Sequence, residues 1–127
     1  MVTMAKILAI KESYLFSKIY SKGKKASEKN VCVYALRNYK SSETMLGITT
    51  GKKIGNAVQR SRARRLIREA FRFSTVEKKW RKPFWIVVVA RYSIVSPKRK
   101  MQDVQVDLER AFQKLGLFSE SSDEILN

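Results

Sequence analysis

The stretch from Gly55 to Arg72, GNAVQRSRARRLIREAFR, constrains the fold more than any other part of this 127-residue chain, because it sets six arginines against one acid, Glu69. Laid on a helix from Ala57 at about 100° per residue, Phe73, Leu66, Ala70, Ala63, Ile67 and Phe71 share one continuous arc between ~160° and ~320°. Arg64, Arg68, Ser61, Arg72 and Arg65 fill the opposite arc, with Arg60 and Arg62 at its edges. One face must therefore dock on a core. The other holds guanidinium groups that repel one another, since only Arg65 and Glu69 are spaced for an i,i+4 pair. An external polyanion resolves that conflict. Asn56 can cap the helix by accepting one of its orphan amides. Just ahead, GKKIGN adds Lys52, Lys53 and two glycines, which let backbone amides approach a phosphate beside a positive helix N-terminus.

The whole chain repeats the imbalance, with 27 Lys and Arg against 11 Asp and Glu and a net charge of +16. Such an excess goes well beyond what solubility needs and makes nucleic acid the leading partner, ahead of an anionic membrane surface or an acidic protein. Arginine's planar fork suits phosphate oxygens bidentately and stacks on bases. The 44% hydrophobic content is enough for a packed core, so the chain reads as one domain over residues 1–118 with an acidic, irregular tail over 119–127. With no histidine in the chain, Ser-His and Cys-His nucleophile pairs and His-containing zinc sites are excluded. The lone Cys32 sits in the apolar run VCVYAL, where it reads as a small buried hydrophobe in a reducing compartment. Neither a run of about eighteen apolar residues nor a secretory leader is apparent, so the expected location is the cytoplasm, away from membranes. No Walker A or dinucleotide-binding glycine motif is present either.

Along the chain, Ser13 can cap a helix over 14–22 that stops at Gly23. Leu15 and Ile19 make one apolar stripe on it, and Phe16 and Tyr20 make a second, rotated by about 100°. VCVYALRN at 31–38 and TMLGITTG at 44–51 read as strands that can pair as a hairpin, with Gly47 marking a bulge or a close backbone approach. PFWIVVVAR at 83–91 is apolar on both faces and reads as a central strand. Ser96 and Pro97 signal the start of a last helix, on which Val104, Leu108, Ala111, Phe112 and Leu115 recur until Gly116. The sum is an α/β sandwich of helices on one small sheet. A helix-turn-helix reader of DNA is disfavoured, because a strand-like segment precedes Lys52 where a companion helix would be needed.

The segment GKKIGNAVQRSRARRLIREAFR resembles the signature of the bacterial ribonuclease P protein subunits, and the likeness extends through the paired aromatics before Gly23, the VYAL strand and the VVVAR strand. The resemblance implies an α-β-β-β-α-β-α fold like the second domain of ribosomal protein S5, with a short extra strand near Lys24 to Ser27 and a left-handed β-α-β crossover through the arginine helix. It implies that catalysis belongs to an RNA with bound magnesium, with no catalytic residue, metal or obligate protein partner on the protein side. By the same resemblance, Lys52, Lys53, Asn56, Arg60, Arg62, Arg64, Arg65 and Arg68 contact the catalytic RNA. Phe16, Tyr20, Tyr34 and Arg91 line a cleft for the 5′ leader of precursor tRNA, where aromatic faces stack on unpaired bases. Two positions depart from the family pattern: Ser61 replaces a usual asparagine, losing an amide's paired donor and acceptor, and Gly51 replaces a small hydroxyl residue. The competing expectation is a non-catalytic protein that binds structured RNA, of ribosomal or chaperone type.

Overall fold

A computed structural model describes residues 7–119 of the chain. Its elements run α1 (Ser13–Lys22), β1 (Lys24–Ser27), β2 (Val31–Arg37), β3 (Met45–Thr49), a 3-10 turn at Lys52–Ile54, α2 (Ala57–Thr75), β4 (Phe84–Ala90), a second 3-10 turn at Tyr92–Val95, and α3 (Met101–Leu115). This is the α-β-β-β-α-β-α order, including the short strand at Lys24–Ser27. Residues 120–127, most of the expected tail, lie outside the described residues.

The four strands are arranged β1-β2-β4-β3. β2 runs antiparallel to β1 and to β4, whereas β3 and β4 are parallel and joined through α2. The expected hairpin between 31–38 and 44–51 is therefore corrected: β4 lies between the two strands. Its Trp85, Ile86, Val87 and Val88 are all buried, so an inner position shields both of its faces from water. Asn38 ends β2 instead of extending it. Its Oδ1 accepts from the amides of Lys40 (2.9 Å) and Ser41 (3.2 Å), and its Nδ2 donates to Glu43 O (2.8 Å), building a loop wider than a hairpin turn. The outer edge of β3 is covered in turn by residues 8–10, with Ile10 N donating to Leu46 O and Leu46 N to Leu8 O.

Side-chain alternation splits the core into two layers. Ile86 and Val88 of β4 pack with Val31 and Val33 beneath α2 and α3, together with Leu66, Ile67, Val104, Leu108 and Phe112. Trp85 and Val87 face the other way, onto Leu15 and Ile19 of α1. α1 ends at Gly23, whose backbone is extended, and only glycine fits there, since a Cβ would come within 2.6 Å of Ile19 O and 2.9 Å of Ala35 O. Ser13 is the first helical residue rather than the cap, a position held by Glu12.

Two further expectations change. On α2, Phe73 is exposed at 45%, while Ser74 is buried. Ser74 falls at ~260° on the wheel, in the middle of the apolar arc, and Phe73 at its ~160° edge. The last helix begins at Met101 rather than at Pro97. Ser96 Oγ accepts from Lys98 N in a turn (3.3 Å), and the helix opens where Asp103 Oδ2 accepts from Lys100 N (2.8 Å). Gly116 closes it with a left-handed φ of 65°. A buried carboxylate that the pattern does not flag, Asp107, accepts from both the backbone and side-chain nitrogens of Asn30 at 2.8 Å and pins α3 to the β1–β2 turn.

Candidate nucleic-acid interface

Asn56 caps α2 as the sequence suggests: its Oδ1 accepts from Gln59 N (2.9 Å), and its own amide donates to Gln59 Oε1 (2.9 Å). Its side-chain oxygen is thereby committed to the helix, which leaves the amide nitrogen to donate outward. The cap fixes where the arginines emerge. Lys52, Lys53, Arg65, Arg68 and Arg72 are exposed, as is Ser61. Arg60, Arg62 and Arg64 are half-buried. Arg62 donates to the carbonyls of Ser96 (3.3 Å) and Arg99, so its fork clamps the segment before α3. Arg64 donates to Thr50 Oγ1 (2.7 Å), and the buried Nε of Arg60 has no partner.

None of these guanidinium groups meets a carboxylate among the described residues. Among the described residues the ion pair is Lys114 with Glu28, far from α2 in sequence, and the i,i+4 pair open to Arg65 and Glu69 is not formed. The helix thus keeps its apolar side in the core and a face of unneutralised cations outside. Such a surface is complementary to a polyanion, and by itself it costs stability through like-charge repulsion.

The second cluster lies on the α1 side of the sheet. Leu15 and Ile19 are buried, while Phe16 is half-buried and Tyr20 is 39% exposed, so the two stripes of α1 divide between core and surface. The Tyr20 ring stands edge-on to Tyr34 with centroids 5.0 Å apart, and Phe16 is 6.5 Å from Tyr20. Gly47 explains how Phe16 can come so close to the sheet: a Cβ at that position would sit 2.6 Å from its Cζ. The close backbone approach read from this glycine is therefore to an aromatic side chain. Lys25 Nζ lies 5.7 Å from the Tyr34 ring, supplying a cation the sequence pattern does not single out. Arg91 is exposed just past the end of β4, its amide donating to Asn30 O (2.9 Å).

Thr49 and Thr50 join the two clusters. Tyr20 Oη and Thr49 Oγ1 are 2.9 Å apart, and the next residue, Thr50, takes the bond from Arg64. These threonines carry no motif of their own, and only their place between β3 and GKK hints at the role. Because β3 and β4 are parallel, Thr49 and Val89 are register partners, so the arginine helix, the ring cluster and Arg91 all collect at one end of the sheet.

A family model described as Ribonuclease P matches residues 4–116, nearly all of this sequence. The chain belongs to the ribonuclease P protein family. The ribonuclease P protein component of Bacillus velezensis is 31% identical over 119 residues, covering 94% of this chain and 98% of that protein. That of Thermoanaerobacter sp. strain X514 is 42% identical over 90 residues, covering 71% and 75% respectively. The ribonuclease P protein of Staphylococcus aureus, solved at 2.0 Å, superposes with a TM-score of 0.75 at 30% identity, over 90% of this chain and 100% of that one. The family accounts for the order of elements and for a role in tRNA processing. Among the described residues, no helix is long and apolar enough to cross a membrane.

Proposed function

We propose that this protein binds the catalytic RNA of ribonuclease P through the arginine face of α2 and the 5′ leader of precursor tRNA through the cleft beside α1. The observation that carries this reading is the junction at Thr49 and Thr50, which sets an aromatic surface and a polycationic one side by side at one end of the sheet. Substrate that bridges the two is held by both at once. The exposed ring of Tyr20 and the half-buried ring of Tyr34 stack on unpaired bases without demanding a sequence, and Lys25, Arg91, Lys52 and Lys53 follow the backbone. Arg65 and Arg68, exposed and without a carboxylate partner among the described residues, neutralise phosphates of the larger RNA.

The arginine face and the Lys52–Lys53 turn are cationic and repel a divalent metal. Magnesium is assigned to the RNA, where it supplies the electrostatic activation of water and leaving group. What the chain itself contributes is orientation and charge neutralisation, in the cytoplasm, to endonucleolytic removal of the leader. Adding the protein to its cognate catalytic RNA should lower the magnesium concentration needed for 5′ cleavage. An unchanged requirement, with an RNA that cleaves on its own at high magnesium, would contradict the reading.

A further inference from the structure

Helix α1 has a second flank that the proposed function leaves idle. On a wheel from Ser13, Phe16 and Tyr20 lie near ~300° and ~340°, whereas Tyr14, Lys18 and Lys22 lie near ~100°, ~140° and ~180°, across the buried Leu15 and Ile19 stripe. The end of β2 and the loop after it complete this flank. Lys40 Nζ donates to Tyr14 Oη (2.8 Å) and sits 5.0 Å from the ring centre. The guanidinium of Arg37 lies 4.8 Å over the Tyr39 ring, and Lys18 Nζ lies 5.6 Å over Trp85. Lys22 and Arg37 share the wall of one cavity of about 430 Å³.

Three cation–π pairs thus crowd one side of a short helix, and none of their cations meets a carboxylate among the described residues. The tyrosines are not there for the core: Tyr39 is 79% exposed and Tyr14 is 55% exposed. With a cation against one face, each ring keeps open surface toward solvent, backed by positive charge. An unpaired base has a π-face to lay on such a ring and a phosphate to meet the charge, whereas a duplex has its base faces already stacked. The bonds from Asn38 hold the backbone of the loop that carries Tyr39 and Lys40.

We propose that the Tyr14–Lys40 and Tyr39–Arg37 pairs form a second surface for unpaired RNA, separate from the Phe16–Tyr20–Tyr34 cleft. The proposal rests on the RNA-binding reading above. Its strand is the far part of a long leader, because the flank sits on the same helix and the same face of the sheet as the cleft that takes the near part.

The holoenzyme is assembled with wild-type protein or with the Tyr14→Ala/Tyr39→Ala variant, and binding is measured for precursor tRNAs with leaders of about four and about sixteen nucleotides. The expected result is a loss of about tenfold for the long leader and none for the short one. A loss that appears instead in assembly with the catalytic RNA, alike for both leaders, gives the surface to that RNA and overturns the proposal. No change in assembly or in either affinity overturns the proposal. Tyr14→Phe/Tyr39→Phe keeps the ring faces and should bind within about twofold of wild type; a loss equal to that of the alanine pair would also overturn it. If the alanine variant does not fold, Arg37→Gln/Lys40→Gln takes its place, and an unchanged salt dependence at both leader lengths and in assembly counts against the surface. The Phe16→Ala/Tyr20→Ala variant, run in parallel, should weaken both leaders. Its failure to do so would remove the cleft reading on its own, leaving the length dependence of the tyrosine pair to decide this proposal.

Discussion

The two faces of the sheet are finished very differently. Beneath α2 and α3 the layer is closed: Val104, Leu108, Ala111 and Phe112 are fully buried, and Trp80 packs against Phe118 with centroids 4.7 Å apart to seal one end. On the opposite face one ten-residue helix crosses the strands and leaves Tyr20, Tyr34 and Val89 partly open to solvent. The closed face supplies stability. In the proposed function the open face turns its apolar surface to recognition, and α2 takes part in both, with its inner side in the core and its outer side toward the RNA.

The largest effect that would sharpen this contrast is Phe112→Ala. It removes a ring from the closed layer and should destabilise the fold by about 3–5 kcal/mol, read by denaturant unfolding. By contrast, Phe16→Ala/Tyr20→Ala should lose about 1–3 kcal/mol of precursor affinity per stacked base, with binding of mature tRNA and assembly with the catalytic RNA nearly unchanged. Equal losses for precursor and mature tRNA would put the leader elsewhere. Gly47→Ala probes the same cleft from below. Its new Cβ must push the Phe16 ring aside, at a cost of about 1–3 kcal/mol in stability, and leader affinity should fall with it. If the leader binds this variant as well as wild type, the seat of Phe16 on the sheet is irrelevant to recognition. Smallest in stability is Asn56→Ala, expected to cost about 1 kcal/mol through loss of the cap and to fray the arginine helix at its first turn. Circular dichroism and thermal unfolding check it.

Local chemistry was easy to read in the sequence, and distant pairing was not. The central place of β4 followed from apolar residues on both of its faces, the cap at Asn56 from its position before the periodic run, and the end of α3 from Gly116. The short strand at Lys24–Ser27 came only through the family resemblance, because KKAS has no strand pattern of its own. The hairpin between β2 and β3 failed because nothing within either strand reports that β4 inserts between them. Pro97 drew the start of α3 too early, since a proline after serine also suits a turn, and the Asp103 contact that opens the helix was the better signal. At the candidate site, the two stripes of α1 and the outward arginines were legible from helical periodicity. The Tyr20–Thr49 contact spans 29 residues, and the Asn30–Asp107 bonds span 77, so neither leaves a trace in a local window. Periodicity also could not separate Arg62, whose fork is held by backbone carbonyls, from the exposed Arg65 and Arg68.

The salt dependence of binding to the catalytic RNA tests the central claim most directly, comparing wild type with Arg65→Gln/Arg68→Gln. If those side chains neutralise phosphates, the slope of log K against log salt should become shallower by about 1.4 to 1.8 for the two lost contacts, while thermal stability holds or rises slightly. Parallel salt lines for the two proteins would mean that the outer face of α2 is merely solvated, and the account would fail.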